Sequence, residues 1–403
     1  MTTTTTERMR AWTGPAILSF GFRPFFLFAG IWAALAMVLW LGMLTGGLEL
    51  PTAFDPISWH AHEMIFGYLL AVIAGFLMTA IPNWTGRMPI VGWPLAALVG
   101  LWLAGRIAVA VSEASPVWAA VIDLGFPVAL VAVMGREIVA GRNWRNLPVV
   151  GIVALFAVAN LAYHIEAMRG GNPATGVGLR LALAAAITLI SLIGGRVVPS
   201  FTRNWLVQRR SAVLPTPFGK GDKVVMVTGI VAIVLWVIWP GQPAVGAALL
   251  LAGVAHLWRL SRWAGWLTGA ESLVWVLHVG YAFVPLGFLA MAANAAGWIT
   301  PAAGQHVWMA GAIGLMTLAI MSRASLGHTG RALTASRATT AVYLALVGSV
   351  VARLVYGIWP EALGFRDLAA GLWILAFGGF AVVYWPVLVR PRIAKKAVSG
   401  QRA

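Results

Sequence analysis

Cysteine is absent from this sequence. That removes disulfides, thiolate metal sites, iron–sulfur clusters and cysteine nucleophiles together, so any metal site must be built from histidine, carboxylate or methionine. Charge is also scarce: 10% of residues are charged, against 60% hydrophobic. No soluble domain of 403 residues needs so much apolar sequence, and the chain reads as a polytopic membrane protein. Acidic residues are rarest, 12 against 28 Lys and Arg. In a soluble protein the resulting net charge of +16 would suggest nucleic acid. Here it is read as Lys and Arg fixing cytoplasmic loops, with the lipid bilayer and not nucleic acid as the partner. No Walker A loop, dinucleotide fingerprint or serine-hydrolase elbow occurs. The opening MTTTTTERMR is too polar for a secretory signal peptide.

What is present is a series of apolar runs and 21 Trp, which suit the interfacial belts of a membrane protein or the lining of a cofactor site. Runs near 25–45, 60–81, 91–111, 117–135, 147–168 and 179–198 precede a long basic loop at about 199–222. Six more lie near 223–240, 243–260, 271–293, 303–322, 338–359 and 367–389. Each is close to the ~20 residues a bilayer requires. The expected fold class is therefore all-α, with about twelve transmembrane helices. It comprises a polar cytoplasmic segment (1–20), one twelve-helix membrane domain (21–390) and a basic cytoplasmic tail (391–403). With both termini inside, roughly 23 of the 28 Lys and Arg fall on one side. A wrong helix count would scramble that asymmetry.

A weak echo runs through the chain. IPNWTGR, GGRVVPSFTRNW and MSRASLGHTGR end helices 2, 6 and 10 on the inner side, at intervals of roughly 120 residues. One reading is three four-helix units around a pseudo-threefold axis. The other is coincidence among inner helix ends, which all favour Arg, Thr and aromatics.

The stretch WHAHEMIFGYLLAVIAGFLMTAIPNWTGR (59–87) combines a span-length apolar run with His60, His62 and Glu63 in its first turn, where ionisable groups are expensive. At about 100° per residue His60 and Glu63 share a face, while His62 lies about 160° from His60. A regular helix cannot aim both His at one ion. Either the first turn is irregular or the two serve different sites. Gly67, Ala71 and Gly75 continue the His60/Glu63 face as a small-residue ladder, open to close packing by another helix or a flat cofactor.

The other His spread along the chain. His164 is near the outer end of helix 5, with Asn160 on the same face to orient its ring or bond another helix. His306 opens helix 10 on the outer side, as a ligand or a solvated helix start. His278 is well inside helix 9 and reads as a ligand, against a core His bonded to a carbonyl. His328 falls in a Gly-containing inner turn, and His256, beside Arg259 and Arg262, reads as interfacial. Imidazole suits both copper and haem iron. The candidate metal ligands are His60, His62, Glu63, His278, His306 and His328. The inner Arg23, Arg196, Arg323 and Arg331 are placed to pair with haem propionates or to act as positive-inside anchors.

GFRPFF (21–26), WHAHEMIFGY (59–68) with AGFLMTAIPNWTGR (74–87), GGRVVPSFTRNW (194–205), WVLHVGYAF (275–283) and RASLGHTGR (323–331) together resemble the NnrS family, over nearly the whole chain. The resemblance implies a bacterial inner-membrane protein of twelve helices containing haem and copper. It also implies nitric oxide as the small ligand, and protection against nitrosative stress during denitrification. By motif it carries over Arg23, His60, His62, Glu63, His278 and His328, with His164 and His306 in family-like surroundings. Turnover, binding and sensing of nitric oxide are all compatible with these residues. Twelve helices with His on helices 2 and 10 are also similar to haem–copper oxidases. The adjacent His pair on helix 7 and the His-x-His on helix 10 are missing, which argues against oxidase-type oxygen reduction. The competing expectation is a secondary transporter in which His and Glu63 relay protons or bind substrate. Helix breaks near the midplane would favour it; here they lie at helix ends.

Overall fold

The computed structural model describes residues 12–87 and 89–393. The ends of the expected N-terminal segment and basic tail, with Lys395 and Lys396, lie outside them. Among the described residues, twelve helices are long and apolar enough to span a membrane: α1 Phe22–Leu44, α2 Pro56–Thr85, α3 Trp93–Ala110, α4 Pro116–Ala140, α5 Trp144–Met168, α6 Val177–Gln208, α7 Lys220–Ile238, α8 Pro243–Ser261, α9 Ser272–Ala295, α10 Pro301–His328, α11 Arg337–Ile358 and α12 Leu363–Val389. The chain is a multi-pass membrane protein. Most consecutive helices pack as neighbours, and α12 packs on α1, which closes the bundle into a ring. Arg23, in the first turn of α1, locks this closure by donating to the carbonyls of Leu388 (2.8 Å) and Arg390 (2.7 Å) at the end of α12.

α2 and α10 are the most enclosed spans, with 89% and 83% of their apolar windows buried, while α6 and α9 follow at 61%. α2, α6 and α10 together line an apolar cleft, with Phe76, Ile193 and Met316 in its walls. That the helices four apart meet around one cleft is the arrangement a three-unit plan needs. A hydrogen bond between Tyr68 and Thr317 joins α2 to α10 beside it.

Two boundaries differ from the sequence reading. The expected loop from 199 is helical as far as Gln208. The buried series Val198, Thr202, Leu206 explains this, because a four-residue spacing keeps an apolar face on the bundle beyond membrane length. α2 likewise runs past Pro82 and stops at Gly86, whose φ of 67° favours a residue without Cβ.

Candidate metal centre

α2 begins as an α-helix capped by Asp55, which accepts from the Ile57 and Ser58 amides, with Pro56 at the first helical position. After His62 the backbone widens into a π-helical segment, Glu63–Leu69. Such segments re-aim side chains and concentrate at functional sites. Here His62 and Glu63, adjacent in sequence, meet in one cluster: His62 Nδ1 lies 3.0 Å from Glu63 Oε1. His60 points elsewhere. Of the two sequence alternatives, the structure shows separate surroundings for the two His.

α3, α4 and α5 complete the cluster. The other ring nitrogen of His62, Nε2, is 3.0 Å from Asn160 Oδ1 and 3.2 Å from Asp123 Oδ2. His164 Nε2 is 3.1 Å from the same Asp123 oxygen, which also accepts from Asn160 Nδ2 at 2.7 Å. Asn160 therefore orients His62 across the helix interface as well as holding Asp123. Arg106 donates to Glu63 at 2.6 Å and pairs with Asp123 through its second terminal nitrogen. Trp32 donates to the remaining Glu63 oxygen at 2.7 Å. One donor atom each from His62, Asp123 and His164 lie within 4.8 Å of one another, a spacing that a single ion can bridge.

Glycines make this density possible. A Cβ on Gly67 would stand 2.7 Å from Glu63 Oε2 and 2.9 Å from Arg106, and one on Gly105 would stand 2.8 Å from Asp123. The small-residue ladder of α2 thus admits side chains from α1 and α3, and at Gly75 the Phe26 ring. His62, Glu63, Arg106, Asp123 and His164 are all at most 3% exposed, so water screens none of these charges. Two carboxylates face one guanidinium. With both imidazoles neutral the cluster carries one net negative charge. A low-dielectric interior demands compensation, either a proton on His62 or a bound cation.

Sequence reasoning missed Arg106 and Asp123. Each is a single charge inside an apolar span, which was signal enough to single them out. The remaining candidates divide into groups. His60 packs against Trp40 with ring centres 4.3 Å apart, and His306 lies 3.1 Å from Arg353, all at the same end of the bundle as His62. At the opposite end His278 Nε2 meets the Thr202 hydroxyl at 2.7 Å, and Arg323 stacks on Phe201. His328 is the last residue of α10, not part of a loop, and packs on Phe20 and Phe22. Arg331 lies near Arg23 at this same end. Arg196 is exposed, apart from the others. His256 departs from the interfacial expectation. It is 1% exposed, stacked on Phe288 and 3.2 Å from the Tyr281 hydroxyl. Its neighbour Arg259 turns inward to Asp222 at 3.0 Å, which draws this end of α8 into the bundle.

Among comparisons with known proteins, a family model described as NnrS protein matches residues 16–392. No curated protein and no solved structure matches.

Proposed function

Because the chain belongs to the NnrS family, we propose that it is a haem- and copper-containing protein of the bacterial inner membrane that binds nitric oxide and protects against nitrosative stress in denitrifying cells. The observation that carries the metal part is the buried His62–Asp123–His164 group, one positive charge short of neutrality. Its two imidazoles and one carboxylate form a nitrogen–oxygen donor set that suits copper. Asn160 and Glu63 would hold the His62 ring, and Arg106 would hold Asp123 in place. Copper there would supply a coordination position for a small neutral gas. The surrounding residues exclude water and fix the ligands, with Phe54, Phe66 and Tyr163 packed against His62.

Haem rests on the resemblance alone. Among the described residues no imidazole lines the cleft between α2, α6 and α10, and Gly265 lies against the unpartnered Nδ1 of His278. These residues form no haem pocket in the present arrangement.

Metal analysis of protein purified in lipid nanodiscs tests the reading. About one copper per chain is expected, falling at least severalfold in His164→Ala and Asp123→Asn but not in His256→Ala. Nitric oxide should alter the optical or paramagnetic spectrum of the copper-loaded protein. The missing positive charge also favours a second reading, a proton-coupled transporter in which His62 carries the proton. Protein that binds no copper, yet protects cells as fully as the wild type, would reject the metal and leave the proton. For the orientation, reporter fusions at Lys220 should read cytoplasm and fusions near Thr52 and Asn294 periplasm. The opposite pattern would overturn the inside termini.

A further inference from the structure

Trp40 of α1, His60 of α2, His306 of α10 and Arg353 of α11 form a second polar cluster at the His62 end of the bundle, and its chemistry is the reverse of the first. The His62 cluster has an excess of acceptors; this one has donors with nothing to receive them. The indole N–H of Trp40, which can only donate, is buried without a partner, and Nδ1 of His60, tilted against that indole, is likewise unpartnered and is a donor in the tautomer that carries its hydrogen. His306 Nδ1 lies 2.7 Å from the Ala302 carbonyl and 3.1 Å from an Arg353 nitrogen. One ring nitrogen cannot serve both. If its hydrogen goes to Ala302, the Arg353 N–H beside it has no acceptor. Arg353, half-buried over the Tyr356 ring, is also close enough to His60 to act on its charge. Among the described residues no carboxylate pairs with it, whereas Arg106 at the same end has two.

Buried donors without acceptors and a cation without a counter-ion are each costly, and one small anion relieves both. We propose that Trp40, His60, His306 and Arg353 bind a planar oxygen-bearing monoanion. The guanidinium supplies charge and paired N–H groups. The indole and imidazole supply single donors that orient the remaining oxygen. Two sources share this chemistry: a free oxoanion such as nitrite or formate, and the carboxylate of a bound porphyrin. The free-anion case does not depend on the metal reading above.

The test is calorimetric titration of sodium nitrite and sodium formate into the full chain in nanodiscs, with sodium chloride as control. It is run on wild type, Arg353→Gln, Trp40→Phe and the distant Arg366→Gln, each checked by thermal unfolding. Saturable nitrite or formate binding is expected, weakened about tenfold or more in Arg353→Gln and several-fold in Trp40→Phe, and unchanged in Arg366→Gln. If the anion is a porphyrin carboxylate, nitrite binds only to haem-free protein, and haem content falls in Arg353→Gln. If it is free in solution, nitrite binds with or without haem, and haem content holds. Folded Arg353→Gln and Trp40→Phe proteins that match wild type in both anion binding and haem content overturn the proposal. So does wild-type binding that chloride reproduces at equal strength.

Discussion

α2 and α10 start alike. Each has a capping side chain (Asp55, Thr300), a proline at the first helical position, a short α segment ending in a histidine, and then a π-helical segment of seven or eight residues. They differ in the residue after the histidine. In α2 it is Glu63, which recruits Arg106 and through it Asp123. In α10 it is Val307, and the neighbouring arginine, Arg353, has no carboxylate. α6, the third helix around the central cleft, has neither histidine nor π segment at its start. The same backbone device therefore presents ionisable groups at two places. The residue after the histidine is a carboxylate in the acceptor-rich place and apolar in the donor-rich one.

Breaking the comparison at its strongest point should give the largest effect. Arg106→Gln leaves Glu63 and Asp123 buried without their counter-ion, at a cost of about 3–5 kcal/mol. Thermal unfolding in detergent should drop steeply, or the protein should fail to accumulate. Arg353→Gln, the matching change beside α10, should alter stability by less than about 1 kcal/mol, since no buried partner is orphaned. Equal losses in the two variants would mean that the arginines are not in different electrostatic settings.

A smaller effect is expected at Gly67. Its Cβ would meet Glu63 and Arg106 at under 3 Å, so Gly67→Ala should cost about 1–3 kcal/mol and lower copper content. Gly151, with open space around it, serves as the control, and Gly151→Ala should be neutral or slightly stabilising. A modest effect is expected where the two helices touch. Tyr68→Phe and Thr317→Val should each cost about 1 kcal/mol and be non-additive, because they remove the same hydrogen bond. Strict additivity in a double-mutant cycle would separate α2 from α10 energetically.

The bundle was legible because membrane spans announce themselves by length and by the side on which Lys and Arg fall. Part of the candidate centre was legible too. The 100° spacing of helical residues showed that His60 and His62 either serve different sites or sit in an irregular first turn, and Asn160 and His164 stood on one face. The π segment was not legible, since no residue type requires it, so His62 and Glu63 were not seen to converge. Arg106 and Asp123 stood out as lone charges in apolar runs, but their pairing depends on which helices touch. His256 was misplaced because two arginines beside it imitate an interface, while one of them has a buried acidic partner on α7. The end of α6 was misplaced because bilayer thickness was used as a ruler where an amphipathic stripe carries the helix further.

The tie between Arg23 and the carbonyls of Leu388 and Arg390 sets a timetable for assembly. Translation makes Arg23 among the first residues to reach the membrane and its acceptors among the last. For most of synthesis this guanidinium has no protein partner, and α1 has no neighbour on the side that α12 will cover. Closure of the ring is a terminal event that reports completion of the chain. A product truncated before Leu388 lacks both acceptors and leaves Arg23 and one face of α1 uncovered.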